Sequence, residues 1–422
     1  MADILKLILI MGLTVFLLIK KWDLGLVLFL NSVLVAVLFA FPALDLVRSM
    51  LGALVAADTI NLALAVYLVL LLAELMRSTH AMDDMVTTLQ VLVPDGRLTL
   101  AMLPLMIGMM PMLGGAMFSA PMVDEVGARL KVSPERKTFI NYWFRHTLEY
   151  VFPLYSSLLM MAALLGVSVY DFIRASWPLS FVALGSGVVW GLVGLRKDAP
   201  DQVAAGNPTP LKVSAENTVP SPTMRPADAW RRLLHSTWPL LLVILSVVLL
   251  QLHMVVTLVS VILLFLIVHR IGPRRWWQLL KRSLPIGTFS AIFCVMIFKH
   301  VLQDAGAVAQ IPAALGTLGL PAMLVAFVVP MMVGLLTGTA AAALALSVPL
   351  VAPLLVGGSM DPMGAGVWLF VGGFTGVLLS PLHLCLALTR VYFKANWVPL
   401  YRRIVPSVVV VVVAAIALVL SR

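Results

Sequence analysis

Apolar stretches succeed one another along the whole chain, separated by short polar segments. They run over 5–19, 24–42, 60–76, 98–123, 139–165 and 177–195, and again near 233–247, 252–270, 288–304, 326–351, 367–393 and from 405 to the end. Stretches of this length match helices that cross a hydrocarbon core, so the pattern predicts an all-α polytopic membrane protein. The second six stretches repeat the first six at a displacement of 228 residues. Ser119-Ala120-Pro121-Met122-Val123 reappears as Ser347-Val348-Pro349-Leu350-Val351. Phe152-Pro153-Leu154-Tyr155 reappears at the same displacement as Ser380-Pro381-Leu382-His383. Between the halves, the segment 196–231 mixes polar residues with Pro200, Pro208, Pro210, Pro220, Pro222 and Pro226 and has no means of burying a core. The chain therefore divides into a first repeat at 1–195, a flexible linker at 196–228 and a second repeat at 229–422.

One run in each half is interrupted. Residues 98–123 contain Pro104, Pro111, Gly114, Gly115 and Pro121, and 322–351 contain Pro330, Gly334, Gly338 and Pro349. Proline removes a helix donor and clashes with the preceding turn. Each run reads as a re-entrant hairpin with its tip at Leu113-Gly114-Gly115 or Thr337-Gly338-Thr339; the other reading is one kinked spanning helix per half. Non-helical backbone at that depth requires protein or a wet cavity around it. Paired breaks at matching places of a duplicated membrane protein point to a transport site.

Charge bears on topology. With the hairpins re-entrant, each half has five crossings and the halves are inverted. Placing Lys20-Lys21 in the cytoplasm then keeps 23 of the 29 Lys and Arg residues on that side, including Arg129, Lys131, Arg136, Lys137, Arg390, Lys394, Arg402 and Arg403. Single spanning helices would move 131–137 or 390–403 outside, against the positive-inside rule. The expectation is ten crossings of the cell (inner or cytoplasmic) membrane, both termini outside, and a cytoplasmic linker. Two stretches, His80–Val93 and Val308–Leu320, are too short to span and read as interfacial helices.

Composition agrees: 61% hydrophobic, 11% charged, mean hydropathy +1.05. The net charge of +10 lies in short loops between apolar runs, so it indicates no nucleic-acid partner. Cys294 and Cys385 both fall in apolar runs, so neither a disulfide framework nor a metal site is expected. Met1–Ile19 lacks a cleavage site before Lys20-Lys21 and has a repeat partner, so it is expected to stay as a helix.

The chemistry gathers after the first hairpin, in Asn141-Tyr142-Trp143-Phe144-Arg145-His146-Thr147-Leu148-Glu149. On a continuous helix Arg145 and Glu149 share a face, and Glu149 lies roughly 15 Å from a start near Thr138, about mid-membrane. Ionisable groups at that depth are functional candidates. Glu149 can carry a coupling proton, because burial disfavours a charged carboxylate. Arg145 can pair with Glu149 or with an anionic substrate, and His146 can do either job. Pro153 is expected to unwind the helix beside Tyr155, Ser156 and Ser157, as Pro381 is beside Ser380 and His383. Freed carbonyls can hold a cation and half-helix N-termini an anion. Lys299 and His300 read as snorkelling toward the outer surface. Glu74 and Arg77 read as a surface pair. Met106, Met109, Met110 and Met112 read as soft filling, and Trp276-Trp277 as an interfacial anchor. No Walker loop, nucleophile elbow or zincin motif occurs, so an enzyme is not expected.

Paired hairpins, each followed by a helix broken at proline in two inverted halves, resemble the ion transporter superfamily. That group includes divalent-anion/sodium symporters, arsenite permeases, sodium–proton antiporters and gluconate permeases. Leu379-Ser380-Pro381-Leu382-His383-Leu384-Cys385-Leu386 and Pro111-Met112-Leu113-Gly114-Gly115-Ala116 look like an uncharacterised integral-membrane branch of it. The resemblance implies a homodimeric scaffold at about 1–76 and 229–304, and a transport part at about 98–195 and 322–422. It also implies elevator-like movement of one against the other. The dicarboxylate symporters carry Ser-Asn-Thr at both tips, where sodium binds. Here only the second tip keeps hydroxyls, which weakens a two-sodium mechanism and favours protons.

The sequence thus predicts a secondary active transporter of a small anion, an organic acid, without a cofactor and driven by H+ or Na+. Its expected binding residues are Gly114, Gly115, Ser119, Arg145, His146, Glu149, Tyr155, Ser156, Ser157, Thr337, Gly338, Thr339, Ser380 and His383, beside the breaks at Pro153 and Pro381, with sodium at the tips as the one metal considered. A cation–proton antiporter and a non-transporting scaffold are the competing readings.

Overall fold

The computed structural model describes residues 2–110, 115–195, 224–284, 286–308, 310, 321–356 and 360–421. These are helical throughout, with no strand among them. In the first half the helices are α1 (Ala2–Ile19), α2 (Leu24–Leu38), α3 (Ala43–Val55), α4 (Ala57–Ser78), α5 (Ala81–Leu92), α6 (Gly96–Gly108), α7 (Gly115–Arg129), α8 (Pro134–His146), α9 (Ser156–Leu165) and α10 (Val169–Gly187). The second half has α11 (Pro226–Ile244), α12 (Met254–Val268), α13 (Pro273–Arg282), α14 (Ile286–Asp304), α15 (Ala322–Thr337), α16 (Ala340–Val356), α17 (Pro362–Leu379), α18 (Leu384–Phe393) and α19 (Trp397–Leu420). Short π-turns at Val188–Leu192 and Leu245–Leu249 prolong α10 and α11.

The displacement of 228 residues holds at the level of caps. α8 begins at Ser133-Pro134 and α17 at Asp361-Pro362. In each, an N-cap oxygen accepts from the third residue on and a proline occupies the first helical position. α9 and α18 match end for end, and both stop at a residue in the left-handed region, Gly166 and Lys394. Contacts between the halves come in reciprocal pairs: α7 with α18 and α16 with α9, α8 with α19 and α17 with α10, α2 with α14 and α12 with α4. The short helices α3 and α13 also correspond, although no apolar run predicts either. The expected interfacial helix at His80–Val93 is α5, which packs on α4, α6 and α11. Its expected counterpart at Val308–Leu320 lies outside the described residues except for 308 and 310.

Among the described residues, six helical segments are long and apolar enough to cross a bilayer: Ala57–Ser78, Val169–Leu192, Pro226–Leu249, Ile286–Asp304, Pro362–Phe393 (α17 and α18 together) and Trp397–Leu420. On α19, Val409, Val413, Ile416 and Leu420 form an exposed apolar stripe at helical spacing, a surface suited to lipid rather than water. The chain is a multi-pass membrane protein.

The core lies around α8 and α17. Every residue from Thr138 to His146 and from Gly364 to Leu378 is buried, as befits helices surrounded on all sides. Glycine makes this possible. α15 and α16 pack on each other and on α17. A Cβ at Gly372 would come 2.6 Å from the Phe327 carbonyl oxygen, and one at Gly376 would collide with the Met331 carbonyl. Packing backbone on backbone removes lipid from interrupted helices. Gly372→Val is therefore expected to destabilise by about 1–3 kcal/mol, the range for overpacking. Gly185, exposed on α10, is the control, since a Cβ there would meet nothing within 4 Å. Thermal melts of both variants in detergent check this, with Gly185→Val expected to melt like wild type.

Candidate functional site

Both chain breaks fall between a largely buried helix and a short one. After α8 the chain unwinds over 147–155, and after α17 over 380–383. The first break opens at Thr147, well ahead of Pro153, so Glu149 sits in a turn. The expected helical face shared by Arg145 and Glu149 does not form. The cause is local: Thr147 turns its hydroxyl back to the Phe144 carbonyl at 2.9 Å, and Glu149 N bonds the His146 carbonyl. Both contacts compete with the helix.

Each break is pinned to the neighbouring helix pair by backbone. A Cβ at Gly108 would strike the Arg145 carbonyl, and one at Gly338 would lie 2.7 Å from Leu382 C and His383 N. Gly338 also has φ +67, a left-handed conformation that other residues adopt at a cost. Arg145, buried, donates to the Ile107 carbonyl at 3.0 Å, and its guanidinium lies against Gly115 at the start of α7. Tyr155 O–H donates to the Gly108 carbonyl and, at 3.1 Å, to that of Arg145. At the second break Ser380 donates to Leu335 O at 2.6 Å, Tyr142 to Leu378 O at 3.1 Å, and Tyr401 to Leu379 O at 2.7 Å. Four carbonyls at the breaks, those of Arg145, Tyr150, Leu378 and Leu379, are thus taken by side chains of the protein. The helix starts are not: neither α9 after Tyr155 nor α18 after His383 has a side-chain cap.

The two halves meet in one cluster. His146 Nδ1 lies 2.6 Å from Glu149 Oε1, His383 Nδ1 lies 2.7 Å from the Gly338 carbonyl, and the two Nε2 atoms are 3.3 Å apart. Tyr142 packs edge-on against the His146 ring, with centroids 5.0 Å apart, and also flanks His383. Cys385 joins them, its sulfur within 4.8 Å of both imidazoles. Asn141 ties α7 to α18, donating to Ala116 O at 2.8 Å and Thr389 Oγ1 at 3.2 Å. Its own Oδ1 is buried without a partner.

Of the expected residues, Arg145, Gly115 and Tyr155 converge at the first helix pair, and His146, Glu149, His383 and Gly338 at the centre. Thr337 and Thr339 flank Gly338, with Thr339 exposed. Ser119 is buried and turns back to Ala116 O at 3.3 Å. Ser157 is buried and Ser156 exposed, and neither joins the histidine cluster. Pro153 is buried and Pro381 exposed. Gly114 lies outside the described residues, as do Pro111, Met112 and Leu113. Asn141, Tyr142, Cys385 and Thr389 are additions that the sequence did not single out. Asn141 was detectable as a polar residue inside an apolar run, and Cys385 as the neighbour two positions after His383.

Lys299 corrects another expectation. It does not snorkel: it is 9% exposed, pairs with Asp58 of α4 at 2.9 Å and donates to the Ala163 carbonyl of α9 at 3.0 Å. Its amine meets a carboxylate inside the protein, and that outweighs reaching the surface. Beside this tie lies a cavity of about 500 Å3 lined by Asp58, Asn61, Ser168, Tyr170, Gln251 and His253 among others. Breaking a fully buried pair costs about 3–5 kcal/mol. Asp58 is one-third exposed, so screening lowers the expected loss in Lys299→Met to about 1–3 kcal/mol. Thermal melts should show it, with part of the loss recovered in Asp58→Asn/Lys299→Met.

The chain is similar in fold to the Alcanivorax borkumensis YdaH transporter, whose crystal structure is described as revealing an unusual topology. The TM-score is 0.63 at 14% sequence identity, over 97% of this chain and 98% of that one. A comparison with curated proteins finds no match. A family model described as "Protein of unknown function (DUF401)" matches residues 3–197 and 222–421, so the chain belongs to the DUF401 family.

Proposed function

We propose that this protein is a secondary active transporter for a small organic anion, driven by a proton or sodium gradient. The observation that carries the reading is the imbalance at the breaks. At the breaks the carbonyls of Arg145, Tyr150, Leu378 and Leu379 are occupied by Tyr155, Ser176, Tyr142 and Tyr401, while the starts of α9 and α18 have no side-chain cap. Occupied acceptors leave little for a cation, whereas uncapped N–H groups carry the positive end of a helix dipole and favour an anion. This weighs against the antiporter reading, which needs free carbonyls. The fold shared with the YdaH transporter supports transport as the class of activity.

In this reading the pairs α6–α7 and α15–α16 are re-entrant, the repeats are inverted with five crossings each, and substrate lies between the hairpin tips and the breaks. Reciprocal contacts between the halves support the two-fold relation. Helices α1–α4 with α11–α14 form a scaffold that dimerises, and α6–α10 with α15–α19 move against it in an elevator-like cycle. The protein sits in the inner membrane with both termini outside and the 196–231 linker in the cytoplasm.

Screening organic anions and cations at several pH values for thermal stabilisation, then assaying hits in liposomes, tests the function. Saturable, gradient-driven uptake of an anion is expected. Cation-driven proton movement with no anion sinks the proposal in favour of the antiporter, and folded protein inert in both assays leaves the scaffold reading. Thr339→Val, at the exposed start of α16, is expected to raise KM about threefold to tenfold, the value of one hydrogen bond, with a small fall in melting because its hydroxyl also accepts from Ala342 N at 3.4 Å.

A further inference from the structure

The histidine cluster gathers donor atoms that the proposed transport does not use. The Gly338 carbonyl only accepts hydrogen bonds, so His383 Nδ1 carries a ring proton. Glu149 Oε1 stands in the same relation to His146, 2.6 Å from its Nδ1. The outer nitrogens of both rings are thereby engaged, and the two Nε2 atoms are left 3.3 Å apart. Nitrogens that close need a positive species between them, a proton or a metal ion.

The geometry points to a metal. Imidazole nitrogens bind zinc at about 2.0–2.1 Å, which at a tetrahedral angle sets two of them about 3.3 Å apart. The third donor is present: the ligand atoms of His146, His383 and Cys385 all lie within 4.8 Å of one another. The sulfur would need to close to about 3.5 Å from each nitrogen. Both rings already have the outer partners typical of metal-bound histidine, a carboxylate on one and a backbone carbonyl on the other.

We propose that His146, His383 and Cys385 form a binding site for a thiophilic transition-metal ion of the zinc class. Two imidazoles and a thiolate select such an ion over sodium, magnesium or calcium, which prefer oxygen. Three protein ligands leave a fourth position open, as in zinc sites that bind a further small ligand. The ion would join the first break, through His146 and Glu149, to the second hairpin region, through His383 and Gly338, and so clamp the two halves together. The donors come from both repeats, and the repeat itself supplies no second copy. The positions displaced by 228 residues from His146, His383 and Cys385 hold Phe374, Tyr155 and Ser157.

The test uses full-length protein in detergent, stripped with chelator and reloaded with Zn2+ or Co2+. One ion per chain is expected, with a thiolate-to-cobalt charge-transfer band. Cys385→Ser should abolish the band and most zinc binding while still folding, since serine occupies the matching position 157. Cys294→Ser, the other cysteine of the chain, should change neither. Glu149→Gln should keep the band but weaken zinc binding about 10–100-fold, as loss of an outer partner does. The proposal fails if wild type retains no more zinc than Cys385→Ser, or if the band disappears with Cys294→Ser instead. Metal content is read without any transport assay, so failure here and failure of the transport reading are separate results.

Discussion

Interrupting a helix inside a bilayer frees backbone groups where no water can reach them, and this requirement governs the centre of the molecule. Each unpaired group costs several kcal/mol in hydrocarbon. The protein meets the requirement from within. Tyrosine hydroxyls reach the carbonyls of Gly108, Leu378 and Leu379, Ser176 reaches Tyr150, and Ser380 reaches Leu335. Two of these bonds, to Gly108 and to Leu335, span contacts where glycines bring the backbones of the helix pairs against the breaks. Gly108, Gly334, Gly338, Gly372 and Gly376 are therefore part of the same device as the tyrosines. Without close approach the hydroxyls would not reach, and without hydroxyls the approach would bury orphan carbonyls.

The duplication supplies this device twice, but the side chains it carries have diverged. The backbone of residue 145 meets Gly108 as that of residue 373 meets Gly334, while the chemistry at matched places differs: His146 against Phe374, Glu149 against Val377, Asn141 against Leu369. Tyr155 and His383 occupy matching positions, and each reaches a carbonyl of its own helix pair, Gly108 or Gly338. One does so with a phenol and the other with a ring that has a second nitrogen to spare. Matching helices thus hold an asymmetric centre, to which the first half brings a carboxylate–imidazole pair and the second an imidazole and a thiol.

How much of this was legible in the sequence follows from range. Proline and glycine act on their own neighbours, so the displaced motifs marked both breaks and the helix limits beside them. α9 and α18 begin and end at matching residues for that reason. Helices α3 and α13 carried no comparable signal, because each is short and mixes apolar with charged residues. The first break starts earlier than its proline suggests because Thr147, not Pro153, ends α8, and a threonine hydroxyl returning to its own turn has no signature in a periodicity. The meeting of His146 with His383 was beyond any local pattern, since 237 residues separate them. Polar residues inside apolar runs pointed to both, but only tertiary packing says which two face each other. Lys299 escaped for a similar reason. A lone cation near a helix end looks like a snorkelling one until Asp58, 241 positions away, is seen beside it.

That tie also constrains how the helices can move. Lys299 on α14 holds Asp58 on α4 and, through the same amine, the Ala163 carbonyl at the end of α9. The first partner belongs to the helices proposed as scaffold and the second to those proposed to move. A rigid displacement of one set past the other must break the bond to Ala163 before it can break anything else there. Losing a charge-assisted hydrogen bond of this kind costs about 1.5–3 kcal/mol unless another acceptor replaces it. The adjoining cavity is lined by Asn61, Ser168, Tyr170 and Gln251, which offer such acceptors. In the proposed displacement the lysine would exchange one acceptor for another there rather than lose it. A purely apolar contact at the same place would slide freely and hold neither position.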